Sequence, residues 1–348
     1  MFRRSWRTVG IGGGLRILAL GLVATCLSRA AADDTNATRP SLSGAELFRE
    51  REFDAARRAF RAHLHSDPDN ADVRLFLGWI ALEEKKTDEA IDWVEQATRL
   101  DRTNAVYFYW LGRLYGIKAR EAGFPSGAWL ARKTKNLFEK AISLDPNHLS
   151  ARVDLIRFHR EAPAIVGGSR RSAQAQAKEV SKRDPYFGAL VHGDLLKDEK
   201  KFREAERSYR SALTLNPQRL EARYRLGCHY QELNETEKAF AVFESILEIK
   251  PGVAAPYETT PSEAHYYIGK TGAISGQRLD RAEEALKIYL KSKPDYLMPS
   301  LASAHLHLGT ILERKANFRG AREEYLKALA LEPDLREAKA ALAKLDAK

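Results

Sequence analysis

Small and apolar residues recur along the chain at one set of spacings. A complete copy has a Leu–Gly pair, an alanine twelve residues after the glycine, an aromatic four residues later, a small or apolar residue three later and a proline five later. The small residues let two antiparallel helices approach closely, the aromatic fills the gap to the next copy, and the proline ends the second helix. The pattern therefore predicts tandem helix pairs. The two clearest copies comprise Leu226, Gly227, Tyr230, Ala239, Phe243, Ile246 and Pro251, and Leu308, Gly309, Leu312, Ala321, Tyr325, Ala328 and Pro333.

Six weaker copies follow the same order, which brings the predicted number of pairs to eight. The closing positions of the eight copies lie 32 to 44 residues apart, so the array is irregular. Extra residues enter the third and fourth copies, at 116–126 and 162–168, and the connections after Pro251 and Pro294. The weaker copies comprise Gly44, Leu47, Ala56, Phe60 and Pro68; Leu77, Gly78, Ala90, Ala97 and Arg102; Leu111, Gly112, Tyr115, Ala141 and Pro146; Leu155, Ala173 and Pro185; Gly193, Ala205, Tyr209, Ala212 and Pro217; and Ile268, Gly269, Ala282, Leu286 and Pro294.

These spacings resemble the tetratricopeptide repeat (TPR) family over nearly everything from residue 42 to the C-terminus. The resemblance implies an all-α fold, a right-handed superhelical TPR solenoid of about eight helix pairs. The array occupies residues 42–333. Residues 334–348 form a C-terminal capping helix, with an amphipathic stretch at 335–345 that covers the exposed end of the solenoid.

The N-terminus is typical of an export signal. Arginines up to Arg16 precede an apolar run at 17–27, and three alanines at 30–32 offer a cleavage site. We expect a signal peptide at 1–32, a disordered linker at 33–41 and a periplasmic protein with no stable membrane span. Three alternatives stay open: an uncleaved N-terminal anchor, twin-arginine export through Arg3 and Arg4, and lipidation of Cys26.

Composition narrows the classes of function. The chain has a formal net charge of +10, but the first 32 residues carry five arginines and no acid. The other residues hold 52 of the 57 cations against 47 acids, with both signs interleaved, so we expect no nucleic-acid binding. After signal cleavage Cys228 would be the only cysteine, which excludes an intrachain disulfide.

The family resemblance also implies a concave groove lined by the first helix of each pair. Aromatic and cationic residues alternate at the groove positions, a combination that suits an extended peptide or a segment carrying carboxylates. The alternative is that the aromatics pack between repeats and the cations are solvated. Some TPR domains bind a C-terminal carboxylate through a clamp of asparagine and lysine residues. That clamp is not recognisable at the groove positions of this chain. The candidate residues are Trp79, Tyr109, Arg113, Arg157, Arg160, Lys197, Tyr224, Tyr266 and Lys270, with the apolar Val153 and Leu190 among them.

The insertions of the third and fourth copies both lie between paired helices, so we expect them to be neighbours on one edge of the solenoid. Their apolar residues offer a second partner site, or else fold back and complete the irregular fourth repeat. These residues are Phe124, Pro125, Trp129, Ile165 and Val166.

No catalytic constellation is recognisable, and we expect neither enzyme activity nor a cofactor. Two histidine pairs, His63 with His65 and His305 with His307, have a spacing of two, which points the side chains of a helix in different directions, so we expect no metal site. The predicted function is a non-catalytic scaffold of the cell envelope that binds a protein or peptide in its groove. The alternative is a subunit of an envelope assembly that contacts its partners through its convex face or through the edge that carries the insertions.

Overall fold

A computed structural model describes residues 40–249, 261–292 and 298–347. Several sequence predictions lie outside these residues. They are the signal peptide at 1–32, residues 33–39 of the linker, and the closing prolines Pro251 and Pro294 with the connections beside them.

The described residues are all-α, with no strand among them. Seventeen α-helices form eight consecutive pairs and one last helix, as the spacing predicts. The helices are α1 Pro40–Arg49, α2 Phe53–Ser66, α3 Ala71–Glu83, α4 Thr87–Leu100, α5 Ala105–Glu121, α6 Ser126–Leu144, α7 Leu149–Glu161, α8 Arg170–Arg183, α9 Pro185–Asp198, α10 Phe202–Leu215, α11 Leu220–Glu232, α12 Thr236–Leu247, α13 Pro261–Ser275, α14 Leu279–Leu290, α15 Leu301–Arg314, α16 Phe318–Leu331 and α17 Arg336–Asp346.

The chain divides into two compact units within helix α9. The N-terminal unit contains α1 to α8 and the part of α9 that ends at Val191. The C-terminal unit begins at His192 and contains the rest of α9 and helices α10 to α17. Within helices α1 to α8, and again within helices α10 to α17, each helix packs against the next one in sequence, as short connections require.

The same kind of contact, between a glycine of the first helix and a side chain of the second, explains why the helices of a pair come so close. A Cβ atom added to the first-helix glycine would lie no more than 3.0 Å from a side chain of the second helix in seven of the eight pairs. In the last pair it would lie 2.5 Å from Tyr325, one of the largest fully buried side chains. The contacts are Gly44 with Phe60, Gly78 with Val94, Gly112 with Phe138, Gly193 with Tyr209, Gly227 with Phe243, Gly269 with Leu286, and Gly309 with Tyr325.

Most copies of the repeat have an alanine at the start of the second helix. This alanine is buried in every pair in which it occurs. These alanines have no exposed surface, even in the irregular fourth and seventh pairs. They are Ala56, Ala90, Ala173, Ala205, Ala239, Ala282 and Ala321.

Six pairs share one turn conformation between their two helices. A non-glycine residue with positive φ, between 48° and 65°, lies in the turn. The six residues are Arg51, Lys85, Lys200, Asn234, Arg278 and Ala316. The third and fourth pairs depart from this turn, and they are the pairs in which the sequence places insertions.

The insertions are more helical than the sequence predicts. In the third pair, residues 116–121 extend α5 to 17 residues, and α6 reaches 19 residues, so only four residues separate these helices. Trp129, expected in a loop, lies in the first part of α6. In the fourth pair a short 3₁₀-helix, Ala164–Val166, joins α7 to α8.

Both ends of the array are helical. Helix α1 begins at Pro40, so two residues of the predicted linker are helical. Helix α17 places Leu345 against buried Ala321 and Tyr325, with Leu342 packed beside them. The last helix therefore covers the apolar surface of the eighth pair, as predicted.

Candidate functional site

The first helices of the third and fourth pairs begin at capped residues, which sets the register of the side chains they carry. Asn104 accepts a hydrogen bond from the amide of Val106 over 3.0 Å at the start of α5. His148 Nδ1 accepts one from the amide of Ala151 over 3.3 Å at the start of α7. Such caps satisfy amides that have no partner within the helix.

A buried carboxylate joins these two helices. Asp154 Oδ2, on α7, accepts a hydrogen bond from the Tyr109 hydroxyl, on α5, over 3.2 Å. The same oxygen lies 4.0 Å from Arg113 Nε, and Asp154 Oδ1 lies 3.6 Å from Arg157 Nη1. Tyr109 has no exposed surface, while Arg113 and Asp154 are each 6% exposed. Two guanidinium groups thus flank one buried carboxylate.

Two indole rings extend this arrangement toward the second pair. The Arg113 guanidinium lies 4.5 Å from the centre of the Trp110 ring, a cation–π contact. Trp110 packs edge-on against Trp79 of α3, with ring centres 5.1 Å apart. We call this set the central cluster; it consists of Trp79, Tyr109, Trp110, Arg113, Asp154 and Arg157.

The central cluster contains buried polar atoms that make no hydrogen bond to any described residue. These are the indole Nε1 atoms of Trp79 and Trp110, Nη1 of Arg113 and Oδ1 of Asp154. Buried polar groups normally have partners, because an unmade hydrogen bond costs free energy. Three of the four atoms are donors, and all four are shielded from solvent by the packing of the cluster.

The electrostatics of the central cluster favour an anion. Burial and then the charge of Asp154 raise the pKa of the Tyr109 hydroxyl, which therefore stays a donor. Burial raises the pKa of Glu161, at the end of α7, against the opposing effect of Arg157, Arg160 and Arg120. Cations thus outnumber acids along this part of α5 and α7.

The structure brings four of the predicted groove residues together: Trp79, Tyr109, Arg113 and Arg157. Arg160 lies further along α7. The first three are at most 6% exposed and pack between helices, which corresponds to the alternative to an open aromatic surface. Binding of a peptide by these residues stays a prediction.

The other four predicted groove residues lie in the C-terminal unit. Tyr224 and Tyr266 are buried, and each packs against Tyr267 with ring centres 5.3 Å apart. Lys197 is paired with Glu232 over 2.8 Å, and Lys270 lies 5.9 Å from the centre of the Tyr267 ring. The tyrosines therefore pack between helices here as well.

Two residues of the central cluster were missed by the sequence analysis. Asp154 precedes Arg157 by three residues, a spacing that favours an ion pair on one helix, and this was an available signal. Trp110 follows Tyr109 directly, and the spacing of groove positions assigned only the tyrosine to the site. Another buried acid, Asp194 in the C-terminal unit, accepts a hydrogen bond from the Tyr209 hydroxyl over 2.8 Å and pairs with Arg225.

The histidine pairs point apart, as their spacing predicts. His305 Nδ1 lies 2.6 Å from Glu324, an acid partner that the sequence did not reveal, whereas the His307 ring packs 5.6 Å from that of Tyr266. Among the described residues there is no group of three or more potential metal ligands. Burial raises the pKa of the Cys228 thiol to about 11, which keeps it protonated and unreactive at neutral pH.

The fold and this clustering define a helical repeat protein with a polar site on the first helices of its pairs. The Tetratricopeptide repeat family matches residues 43–105, 190–254 and 272–336, which together make up more than half of the chain. The chain belongs to the tetratricopeptide repeat family. Proteins with this fold are generally scaffolds for protein–protein interactions and are typically non-catalytic.

Curated relatives share the repeat region only in part. The chain is 25% identical over 210 residues to human protein O-mannosyl-transferase TMTC3, a match to 59% of this chain and 22% of the human protein. The mouse protein of the same name is 27% identical over 146 residues, 40% of this chain and 15% of the mouse protein. The chain thus spans less than a quarter of the length of these relatives.

Solved structures show the same fold. Yeast Tom70 has a TM-score of 0.66 at 15% identity, over 90% of this chain and 64% of Tom70. The Cut9–Hcn1 hetero-tetramer of the APC/C has a TM-score of 0.50 at 16% identity, over 84% of this chain and 52% of the matched chain. At these identities the likeness concerns the fold alone. Across the part of the chain that the structure describes, no helix is both long and apolar enough to span a membrane.

Proposed function

We propose that this protein is a non-catalytic scaffold of the cell envelope that binds a carboxylate-bearing peptide or protein segment at the central cluster. The observation that carries the proposal is the pair of guanidinium groups beside the single Asp154 carboxylate, of which Arg157 is 23% exposed and can reach a ligand. A carboxylate has two oxygens and about four acceptor sites, so one such group on a partner can accept two hydrogen bonds from the Arg157 guanidinium.

The central cluster is also rigid enough to bind without a large ordering cost. Tyr109 and Arg113 are held through the Asp154 carboxylate, and the two indole rings are fixed against each other. A site whose side chains are already ordered loses little entropy when a segment binds. The family membership supports a protein or peptide as the occupant, and the N-terminal export pattern supports a location in the envelope, with the periplasm as the proposed compartment.

A paired peptide array tests the ligand class. Random-sequence peptides containing glutamate would be compared with the same sequences carrying glutamine, and binding to the full chain would be followed by tryptophan fluorescence and titration calorimetry. We expect the glutamate member of a bound pair to bind at least tenfold more tightly. Equal affinity for both members would contradict a carboxylate site.

Two variants locate the binding. Trp110→Phe keeps the ring packing and removes one unpartnered donor, while Arg157→Gln removes a half-buried cation. Arg319→Gln, whose side chain is 92% exposed on α16, is the matched control. We expect each of the first two changes to weaken peptide binding about fivefold or more and the control to leave it unchanged. Unaltered binding in folded Trp110→Phe and Arg157→Gln proteins would show that recognition lies elsewhere.

Cell fractionation tests the location. The chain produced in its own cells is expected in the periplasmic fraction without residues 1–32. Recovery from the cytosol with the N-terminus intact would refute the envelope role and leave the carboxylate site unaffected.

A further inference from the structure

The two irregular connections of the N-terminal unit lie side by side. Arg132, on α6, donates a hydrogen bond from Nη2 to the carbonyl oxygen of Ile165, in the 3₁₀-helix of the fourth pair, over 2.8 Å. The third pair's connection precedes α6, so both connections belong to one edge, as the sequence predicts. We call residues 122–135 and 162–171 the insertion edge.

The insertion edge carries the three most exposed large apolar side chains among the described residues. Phe124 is 68% exposed, Ile165 66% and Trp129 60%, whereas other large apolar side chains reach at most 53%. Single exposed apolar residues are ordinary on protein surfaces, but three on one edge form a patch.

The backbone places the three side chains on the same edge. Phe124 directly precedes Pro125, the N-cap of α6, and the amide of Trp129 donates a hydrogen bond to the Pro125 carbonyl over 3.3 Å. Trp129 and Arg132 are three residues apart and share a helix face. Because Arg132 binds the Ile165 carbonyl, the patch continues from Phe124 through Trp129 to Ile165.

The outward position of Ile165 is built into an ordered connection. Its neighbour Val166 is 1% exposed and fills the gap in the fourth repeat. The Ser169 amide donates to the His159 carbonyl over 3.1 Å, and His159 Nδ1 lies 3.1 Å from the Gly167 carbonyl oxygen. One residue of the insertion therefore completes the core while the adjacent one is held in solvent.

The surroundings of the patch are strongly basic. Residues 122–138 and 162–178 contain no aspartate or glutamate, although acids and bases alternate over most of the chain. Lys133 and Lys135 are paired with Glu95 and Glu139. The positive charge around the patch, its basic rim, therefore comes from three further exposed cations, Arg132, Arg170 and Arg171.

We propose that the insertion edge docks on the surface of an anionic phospholipid bilayer. Exposed aromatic and aliphatic side chains within a basic rim match the composition of surfaces that insert at the boundary between headgroups and acyl chains. Phe124, Trp129 and Ile165 enter that boundary, and the three arginines bind lipid phosphates. This site is separate from the central cluster, so either proposal can fail without the other.

Vesicle co-sedimentation of the full chain tests the proposal. Vesicles of phosphatidylcholine alone would be compared with vesicles that also contain phosphatidylglycerol. We expect binding to the anionic vesicles that weakens as salt is added, together with a blue shift of tryptophan fluorescence that is lost when Trp129 is replaced. The apolar residues 17–27 are common to every variant, so differences between variants report on the insertion edge.

Matched variants separate this edge from general surface apolarity. The variant Phe124→Ser, Trp129→Ser, Ile165→Ser should lower partitioning into anionic vesicles at least tenfold. The control Leu215→Ser, Ile274→Ser, Leu331→Ser alters three other exposed residues and should bind like the parent. Arg170→Gln and Arg171→Gln should each weaken anionic binding about fivefold and leave neutral binding unchanged.

Three results would overturn the proposal. One is equal vesicle binding by the parent and the folded serine variant. Another is equal binding of the parent to neutral and anionic vesicles at all salt concentrations. The third is that the parent chain binds no vesicles and instead binds a protein partner through the insertion edge.

Discussion

The Tyr109 hydroxyl donates a hydrogen bond to Asp154 Oδ2 over 3.2 Å, and so joins helices whose residues lie 45 positions apart in the sequence. The two side chains belong to the first helices of neighbouring pairs. The buried carboxylate orients both the tyrosine and Arg113, and the shape of the central cluster depends on it.

Replacing Tyr109 by Phe should destabilise the N-terminal unit by about 2 kcal/mol, because a buried carboxylate loses its hydrogen-bond donor. Tryptophan fluorescence during urea unfolding measures this, since Trp79, Trp93, Trp110 and Trp129 all lie in the N-terminal unit. A change below about 0.5 kcal/mol would mean that Arg113 and Arg157 alone satisfy Asp154.

Replacing Gly309 by Ala should destabilise the C-terminal unit by about 1 to 3 kcal/mol, because the new Cβ would lie 2.5 Å from the Tyr325 ring. Loss of helical circular dichroism on heating measures the effect. Gly123→Ala is the control, because a Cβ there would meet nothing within 4 Å. A second change, Tyr325→Leu, should restore part of the stability lost in the Gly309→Ala protein, and no recovery would argue against a local clash.

Replacing Ala316 by Gly should stabilise the C-terminal unit by about 0.5 to 1 kcal/mol. Ala316 has φ of 58° in the turn between α15 and α16, a conformation that glycine adopts with less strain. Ala340→Gly, at an exposed position in the middle of α17, should instead destabilise by about 0.5 to 1 kcal/mol. If both changes shift the thermal midpoint downward, turn strain does not contribute at Ala316.

Acidification from pH 6.5 toward pH 5 should weaken the C-terminal unit partly through His307. Burial, with the positive charge of Lys270 nearby, lowers the pKa of His307 to about 3. The unfolded chain takes up a proton below about pH 6.5 while the folded one stays neutral, so unfolding is favoured as the pH falls. At pH 5 the effect is about 1 kcal/mol after allowing for partial exposure of the side chain.

The variant His307→Phe removes this titration. Urea midpoints followed by circular dichroism at pH 7 and pH 5 should differ less in this variant than in the parent. Burial also lowers the pKa of His229 and His265 in the same unit, so some pH dependence should remain. Identical pH dependence in parent and variant would show that His307 is not held neutral by the fold.

Most of the architecture could be predicted because each repeat makes its own contacts. Gly227 and Phe243, or Gly309 and Tyr325, are sixteen residues apart and meet within a single helix pair. A contact of such short range leaves a periodic signal in the sequence. The insertion at 116–126 was harder to predict. It adds residues to the ends of α5 and α6 and preserves the contacts between the two helices, so the spacing does not show that the helices are longer.

The sequence by itself determined the repeat, the number of helix pairs, the helix that covers the last pair and the residue types on the first helices. Only the tertiary structure decided which side chains are buried and which polar atoms meet. Trp79, Trp110 and Asp154 come from three different pairs, and Arg132 meets Ile165 across two connections. Such relationships depend on how neighbouring pairs pack in three dimensions, and a one-dimensional spacing of small and apolar residues carries no record of them.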